Sequence, residues 1–172
     1  MAPYAISEWT ERLAVAFAEH RKWPDNPVLQ LKCQVYAGFV AHYAEDICQP
    51  LHATVHFNGR KRADGTVVGK GIHERVDSSL QRLGLTPAVL AAGQEVTGMD
   101  SLMGGIVEQI EESNGLVDKV YALLGKWEDG ENQEVHALAE ERARTAVHFT
   151  ASLYLTAWRR SESIRLPGWL QR

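Results

Sequence analysis

The sequence predicts an all-α fold, a compact helical bundle with one long glycine-rich loop. Apolar residues recur at three- and four-residue steps through most of the 172 residues, which is the spacing of helices that bury one face. Proline and glycine stand at the breaks between these segments, and the basic stretch 58–71 lacks a helical or strong strand pattern. We therefore expect residues 1–172 to form a single all-α domain.

The first two helices are predicted from their caps and breaks. Ser7 can cap a helix that runs to about Lys22, and an Asn-Pro pair at 26–27 is a good start for the next helix. Pro50 ends that second helix, because proline cannot continue a helix interior. The second helix has the clearest apolar pattern, which is typical of a face packed on a core: Val28, Leu31, Val35, Phe39, Tyr43 and Ile47.

Four further helices are predicted after the loop. Gly84 ends the first of them, Thr86 caps the second ahead of Pro87, and Asn114-Gly115 is a weak point in the third. These helices cover residues 72–83, 87–92, 102–124 and 131–160. The tail, 161–172, is expected to pack irregularly. Three tryptophans are interpreted as core anchors: Trp127, Trp158 and Trp169.

Composition excludes some classes of protein. The formal net charge is −4, whereas proteins that coat duplex nucleic acid are usually basic, so any affinity for phosphate must be local. No apolar run approaches the roughly 18–20 residues that span a bilayer, which argues against an integral membrane protein. Residues 1–10 show no secretory signal pattern, and the compartment is left open.

Histidine and aspartate occur in a spacing that suits a metal site. His42 and Asp46 are four residues apart on the second helix, and His73 and Asp77 repeat that spacing after the loop. His52 follows Pro50 directly beyond the second helix. Imidazole and carboxylate are ligands that zinc accepts. Either pair alone is more often a surface ion pair, but both pairs together with His52 favour a metal site.

Two segments resemble the zinc-dependent phospholipase C and single-strand-specific nuclease superfamily. Residues 42–52, HYAEDICQPLH, match its signature of a histidine, an aspartate four residues on, and Gln-Pro-Leu-His. Residues 71–77, GIHERVD, resemble its next histidine and acidic residue, at a separation closer to that of the nucleases. The resemblance is specific over residues 39–77, and the flanking helices agree with the all-α fold of that superfamily.

The resemblance implies a role for each of these residues. Members bind up to three zinc ions in a cleft and hydrolyse phosphodiesters with metal-activated water. By position, His52, His73 and Asp77 would form one zinc site with a full protein ligand set. His42 would belong to a second site, and Asp46 would bridge that site to a third and take part in catalysis.

The chain also departs from the superfamily pattern. Members complete the zinc cluster with an N-terminal tryptophan and with further histidine and aspartate ligands upstream of the helix that bears His42. Here His20 is the only histidine before His42, and Trp9 is not terminal. We expect the C-terminal part of a longer zinc hydrolase, or else a shortened relative with fewer metals. A missing N-terminal segment would expose apolar surface, which could support a homo-oligomer.

The glycine-rich loop is the predicted substrate contact. Its basic side chains are expected to hold substrate phosphates, with a plain solvated loop as the alternative: Arg60, Lys61, Arg62 and Lys70. The substrate would be a phosphodiester, either a single-stranded nucleic acid or a phospholipid, and the nuclease-like spacing favours the former. Similar proteins are secreted or periplasmic.

Three functions compete at this point. The first is a zinc-dependent phosphodiester hydrolase of nuclease or phospholipase C type that uses metal-activated water. This chain by itself could be an inactive part of that enzyme. The alternative is a catalytically incomplete metal-binding helical domain with a structural or binding role. The third is a helical interaction module whose histidines are incidental, which predicts no stoichiometric metal.

Overall fold

The structure is a computed structural model that describes residues 2–170. Over this range the chain is mostly helical, with one two-stranded antiparallel sheet, so the all-α class is confirmed. The elements are α1 (Ala2–Lys22), α2 (Pro27–Cys48), a 3-10 helix (Pro50–Ala53), β1 (Arg60–Lys61), β2 (Val67–Val68), α3 (Ile72–Asp77), α4 (Ser79–Arg82), α5 (Pro87–Ala91), α6 (Leu102–Gly115), α7 (Val117–Ala122) and α8 (Gln133–Arg160).

The first helix begins earlier than its predicted cap. α1 starts at Ala2 and already includes Ser7, which therefore does not cap it. Pro3 lies in the first turn, where its missing N–H removes no helical hydrogen bond and its fixed φ suits the helix. The predicted end at Lys22 is confirmed.

The predicted limits of α2 are confirmed. The side chain of Asn26 accepts hydrogen bonds from the backbone N–H of Val28 at 3.0 Å and of Leu29 at 3.3 Å. These bonds satisfy two of the donors that a helix start leaves free, and Pro27 occupies the first helical position. The helix ends at Cys48, before Pro50.

The buried face of α2 differs from the predicted one. Leu29, Val40 and Ala44 are buried, with exposed fractions of 2% or less. The apolar stripe predicted to face the core is instead exposed over its first four positions: Val28, Leu31, Val35 and Phe39. Apolar residues occupy more than one face of this helix, so periodicity alone did not identify which face is covered.

The glycine-rich loop contains a short hairpin that the sequence did not predict. Arg60 of β1 lies opposite Val68 of β2 in antiparallel register. At the turn, the Asp64 carboxylate accepts hydrogen bonds from the backbone N–H of Thr66 at 2.9 Å and from its hydroxyl at 2.6 Å. Such side-chain bonds stabilise turns without any strand-like sequence pattern, which explains the missed hairpin.

The later helices are more divided than predicted. Residues 72–83 split into α3 and α4 at Ser78, whose hydroxyl donates to the carbonyl of Glu74 at 2.7 Å. Residues 102–124 break at Leu116, next to the predicted weak point. Thr86 caps α5 as predicted, accepting from the N–H of Val89 at 3.4 Å.

The chain divides into two compact units. The first comprises Met1–Glu45, Glu95–Val107 and His148–Arg172, and the second comprises Asp46–Gln94 and Glu108–Val147. The prediction of a single domain that is the C-terminal part of a longer hydrolase stays a prediction. Within residues 2–170 no helix combines the length and the apolar character needed to cross a membrane.

The second unit has a well-defined apolar core. Trp127 is 2% exposed, and its indole N–H donates to the carbonyl of Val120 at 3.0 Å, so this predicted anchor is confirmed. The core residues come from the 3-10 helix, α3, α7, α8 and the segment between α7 and α8: Leu51, Ile72, Val76, Val120, Leu123, Trp127, Val135 and Leu138. This core supports the segments that carry the candidate site.

Two other predicted anchors are wrong. Trp158 is 38% exposed and Trp169 is 79% exposed. Trp158 lies on the surface of the first unit, where the guanidinium of Arg21 sits 3.7 Å from its ring centroid. A tryptophan can be held by such a cation contact without being buried. Residues 171 and 172 of the predicted tail lie outside the described residues.

Candidate metal centre

The 3-10 helix holds His52 at the surface of the second unit's core. Leu51, the preceding residue, is fully buried, and Pro50 fixes the backbone at the start of this helix. The side-chain oxygen of Gln49, the N-cap residue, accepts a hydrogen bond from the N–H of Leu51. The His52 side chain is 31% exposed, so it is both anchored and reachable from solvent.

Helix α3 positions the second histidine and an aspartate in the same way. Ile72 and Val76 are buried in the same core as Leu51. His73 and Asp77 follow them by one residue each, and therefore share a face one helical turn apart. His73 Nε2 lies 3.2 Å from Asp77 Oδ2.

His52, His73 and Asp77 converge. Each offers one ligand atom, and these three atoms lie within 4.8 Å of one another. The two imidazole rings are 4.7 Å apart between centroids. The three side chains that the sequence assigns to one metal site therefore lie close together, while metal binding itself stays a prediction.

The side chains of this cluster are of types that can hold a divalent metal ion. Four ligands in a tetrahedron around bonds of about 2.0–2.1 Å lie roughly 3.3 Å apart. The 3.2 Å between His73 Nε2 and Asp77 Oδ2 is close to this value, whereas the limit for all three ligand atoms is 4.8 Å. Among residues 2–170, His73 Nδ1 is a buried nitrogen without a hydrogen-bond partner; it points away from Nε2 and so bears on a water rather than on this ion. Three protein ligands also leave one position open, as catalytic zinc sites do.

The two other predicted metal ligands lie outside this group of three. Asp46 Oδ2 is 3.9 Å from His52 Nδ1, longer than a hydrogen bond. His42 is exposed and belongs to the first unit, and its ring meets that of Tyr43 at 5.1 Å, edge to face. The bridging role of Asp46 and the second-site role of His42 stay predictions.

Arg60, predicted to bind substrate, makes contacts within the second unit. Its guanidinium forms an ion pair with Asp118 at 2.7 Å and lies over the ring of Tyr121, 4.5 Å from the centroid. These contacts attach β1 to α7, so Arg60 has a structural role, and its contact with substrate stays a prediction. The other three basic residues of the loop have exposed side chains: Lys61, Arg62 and Lys70.

Tyr121 was missed by the sequence analysis. Its hydroxyl accepts from the N–H of Gly59 at 3.0 Å and donates to the carbonyl of His56 at 2.5 Å. The side chain of Asn58 accepts from the N–H of Gly71 at 2.9 Å, close to the start of α3. Together these bonds hold the loop between His52 and His73, and no local pattern could reveal a partner on α7.

Two apolar side chains near His52 are exposed. Val55 is 88% exposed and Phe57 is 55% exposed. The Phe57 ring meets that of His73 edge to face, with 5.9 Å between centroids. The cluster is therefore bordered on this side by an aromatic ring that solvent can reach.

The chain matches no protein-family model, no curated protein and no solved structure. The likeness to the phospholipase C and nuclease superfamily thus rests on residues 39–77 of the sequence. The structure adds a solvent-accessible His-His-Asp cluster of a kind that could hold a divalent metal ion.

Proposed function

We propose that the chain is part or all of a zinc-dependent phosphodiester hydrolase, of nuclease or phospholipase C type. In this proposal His52, His73 and Asp77 hold one zinc ion. The observation that carries it is the convergence of their ligand atoms within 4.8 Å. Zinc in such a site supplies Lewis acidity and lowers the pKa of water to about 7.

Local charge supports a phosphodiester as the substrate. One carboxylate against a divalent cation leaves the cluster positive, although the whole chain has a net charge of −4. The loop that joins His52 to His73 adds three exposed cations, which can pair with phosphate oxygens: Lys61, Arg62 and Lys70. The substrate class within phosphodiesters, nucleic acid or phospholipid, is part of the test below.

Asp46 has two roles open to it in this proposal. In the first role its carboxylate, whose Oδ2 lies 3.9 Å from His52 Nδ1, would move within hydrogen-bond distance of that nitrogen. A carboxylate in that position orients a ligating imidazole and raises its basicity. The superfamily resemblance instead assigns Asp46 to a bridge between further metals, and both roles predict lower activity without it.

A second candidate is a metal-binding domain without catalysis. Among the described residues, the only group of three or more His, Cys, Asp and Glu side chains close enough to hold an ion is His52, His73 and Asp77. One complete site, rather than three, favours this candidate. It predicts zinc binding and a gain of stability with zinc, without hydrolysis.

The test measures zinc and hydrolysis in the same preparations. Zinc per chain is determined by elemental mass spectrometry in protein purified without chelator or tag histidines, for wild type, His52→Ala and His136→Ala. His136 is the matched control, because its ring lies 3.6 Å from Glu140 four residues later but belongs to no group of three. Hydrolysis is assayed on bis(p-nitrophenyl) phosphate, single-stranded DNA and phosphatidylcholine.

We expect about one zinc per chain in wild type and His136→Ala, and a loss in His52→Ala. Hydrolysis that rises and falls with the zinc content supports the proposed hydrolase. A preference for single-stranded DNA or for phosphatidylcholine then distinguishes the nuclease type from the phospholipase C type. Zinc without hydrolysis favours the second candidate. A wild type that takes up no zinc, even after incubation with it, overturns both candidates.

A further inference from the structure

The side chain of Gln49 links the two segments that carry the proposed zinc ligands. Its Nε2 donates a hydrogen bond to Asp77 Oδ1 at 2.8 Å, on α3. Its Oε1 accepts from the N–H of Leu51, in the 3-10 helix that carries His52. One amide group therefore contacts both segments, which are separated by the whole glycine-rich loop.

Only one orientation of this amide satisfies both partners. The backbone N–H of Leu51 can only donate, so it must face the amide oxygen of Gln49. An ionised Asp77 can only accept, so it must face the amide NH2 group. In the flipped amide the NH2 group would face the N–H of Leu51 and the oxygen would face the carboxylate of Asp77. Neither contact is a hydrogen bond, so the positions of the amide oxygen and nitrogen follow from the two partners.

The bond to Gln49 also favours one oxygen of Asp77 over the other as the metal ligand. Oδ1 is taken by Gln49, while Oδ2 lies 3.2 Å from His73 Nε2. The terminal torsion of aspartate is broad, so a carboxylate with no such partner samples many orientations. With Gln49 in place, Oδ2 is directed toward the histidines before any ion arrives.

We propose that Gln49 is a positioning residue of the zinc site, acting through Asp77. This inference rests on the proposed zinc binding by His52, His73 and Asp77. Residues that hydrogen-bond to metal ligands typically change metal affinity by about 10–100-fold when they are replaced. The Asp77 side chain is 46% exposed, so water competes for this bond and it adds little to the stability of the metal-free fold.

The experiment is a zinc titration against a chromogenic chelator. Wild type, Gln49→Met and the control Gln81→Met are compared, since methionine keeps the length of glutamine and removes both polar groups. Gln81 is exposed on α4 of the same unit. We expect the zinc Kd to rise by about 10–100-fold in Gln49→Met and to stay at the wild-type value in Gln81→Met.

Two further measurements separate positioning from a general structural role. The thermal midpoint of the zinc-free protein should fall only modestly in Gln49→Met, through loss of the cap on Leu51, so that both proteins are compared well below their unfolding transitions. In an Asp77→Ala background the same substitution should cause no further loss of zinc affinity, because its effect passes through Asp77. A persistent loss in that background would assign the effect to the cap on Leu51 and overturn the proposal.

A zinc Kd within twofold of wild type in Gln49→Met also overturns the role of Gln49 while leaving the zinc site intact. Failure of the proposed zinc site gives a different result, because even the wild type would then bind no zinc in the titration.

Discussion

Asp77 Oδ2 lies 3.2 Å from His73 Nε2, one turn apart on a helix of six residues. So short a helix is not stable by itself, because helix nucleation is costly. The core contacts of Ile72 and Val76 hold it in place, and the two polar side chains lie on the adjacent face, about 100° around the helix. The candidate site is thus a product of the packing beneath it.

Zinc should stabilise the protein through this pair. A ligand at 100 times its Kd stabilises the folded state by about 2.7 kcal/mol, so thermal unfolding should shift upward with zinc and return with a chelator. Asp77→Asn should remove most of that shift. Its control is Glu74→Gln, an exposed residue on the same helix that belongs to no ligand group. Equal shifts in both variants would contradict the assignment of Asp77.

Loss of the Tyr121 hydroxyl should loosen the loop. Tyr121→Phe removes the hydrogen bonds to Gly59 and His56, and each such bond contributes about 0.5–1.5 kcal/mol. Hydrogen exchange should accelerate in residues 56–71, and the free energy of unfolding should fall. Tyr4→Phe, at a side chain that is 74% exposed, should change neither.

Gly69 is expected to tolerate no side chain. Its φ is +73°, and an added Cβ would lie 2.9 Å from the Tyr121 ring and 3.1 Å from Leu124. Gly65 has a φ of +87° but open space around it, so Gly65→Ala should cost only the left-handed strain of about 1–2 kcal/mol. Gly69→Ala should lower the free energy of unfolding, measured by chemical denaturation, by more than Gly65→Ala does. Equal losses would show that the hairpin does not pack on α7 as described.

The two faces of α2 should differ in how much stability they lose on truncation. Leu29 is 2% exposed, and Leu29→Ala should cost about 2–5 kcal/mol of unfolding free energy. Leu31 is 59% exposed, and Leu31→Ala should stay within about 0.5 kcal/mol of wild type. Sedimentation of both proteins tests the predicted homo-oligomer: a large loss for Leu31→Ala, together with a change in mass, would show that this face is covered in solution.

Tyr154 should make stability depend on alkaline pH. Burial, together with the nearby charge of Glu45, raises the pKa of its phenol, whose hydroxyl donates to the carbonyl of Ala37 at 2.8 Å. A raised pKa favours the protonated form in the folded state, so its contribution is complete below about pH 10 and is lost as pH rises through the folded-state pKa.

The unfolding free energy of Tyr154→Phe should therefore fall less than that of wild type between pH 9 and pH 11.5. At neutral pH the variant should be less stable by about 1 kcal/mol, the typical contribution of its lost hydrogen bond. Tyr4→Phe is again the exposed control. A steeper fall in Tyr154→Phe than in wild type would reverse the sign and contradict the burial argument.

Local sequence determined the positions of most helices. Pro27 and Pro50 bound α2, and Thr86 caps α5, because these residues act through their own backbone and nearest neighbours. The same local geometry placed His73 and Asp77 on one face of α3, since residues four apart in a helix always lie one turn apart. These features required no knowledge of the tertiary structure.

Tertiary packing decided the contacts between distant segments. The bond from Gln49 to Asp77 and those from Tyr121 to the loop join residues that no periodicity relates, so the sequence analysis found neither. Which apolar stripe of α2 is buried also depends on what packs against it, and the exposed Leu31 shows that apolar spacing alone does not answer this.

The sequence by itself thus determined the helical class, the main breaks and the residue types of the candidate metal site. Only the tertiary structure decided that His52 meets His73 and Asp77, because their approach depends on the burial of Leu51 and Ile72 in one shared core. The physical reason is range: caps and helical spacing act over one or two turns, whereas a ligand cluster forms where separate segments pack together.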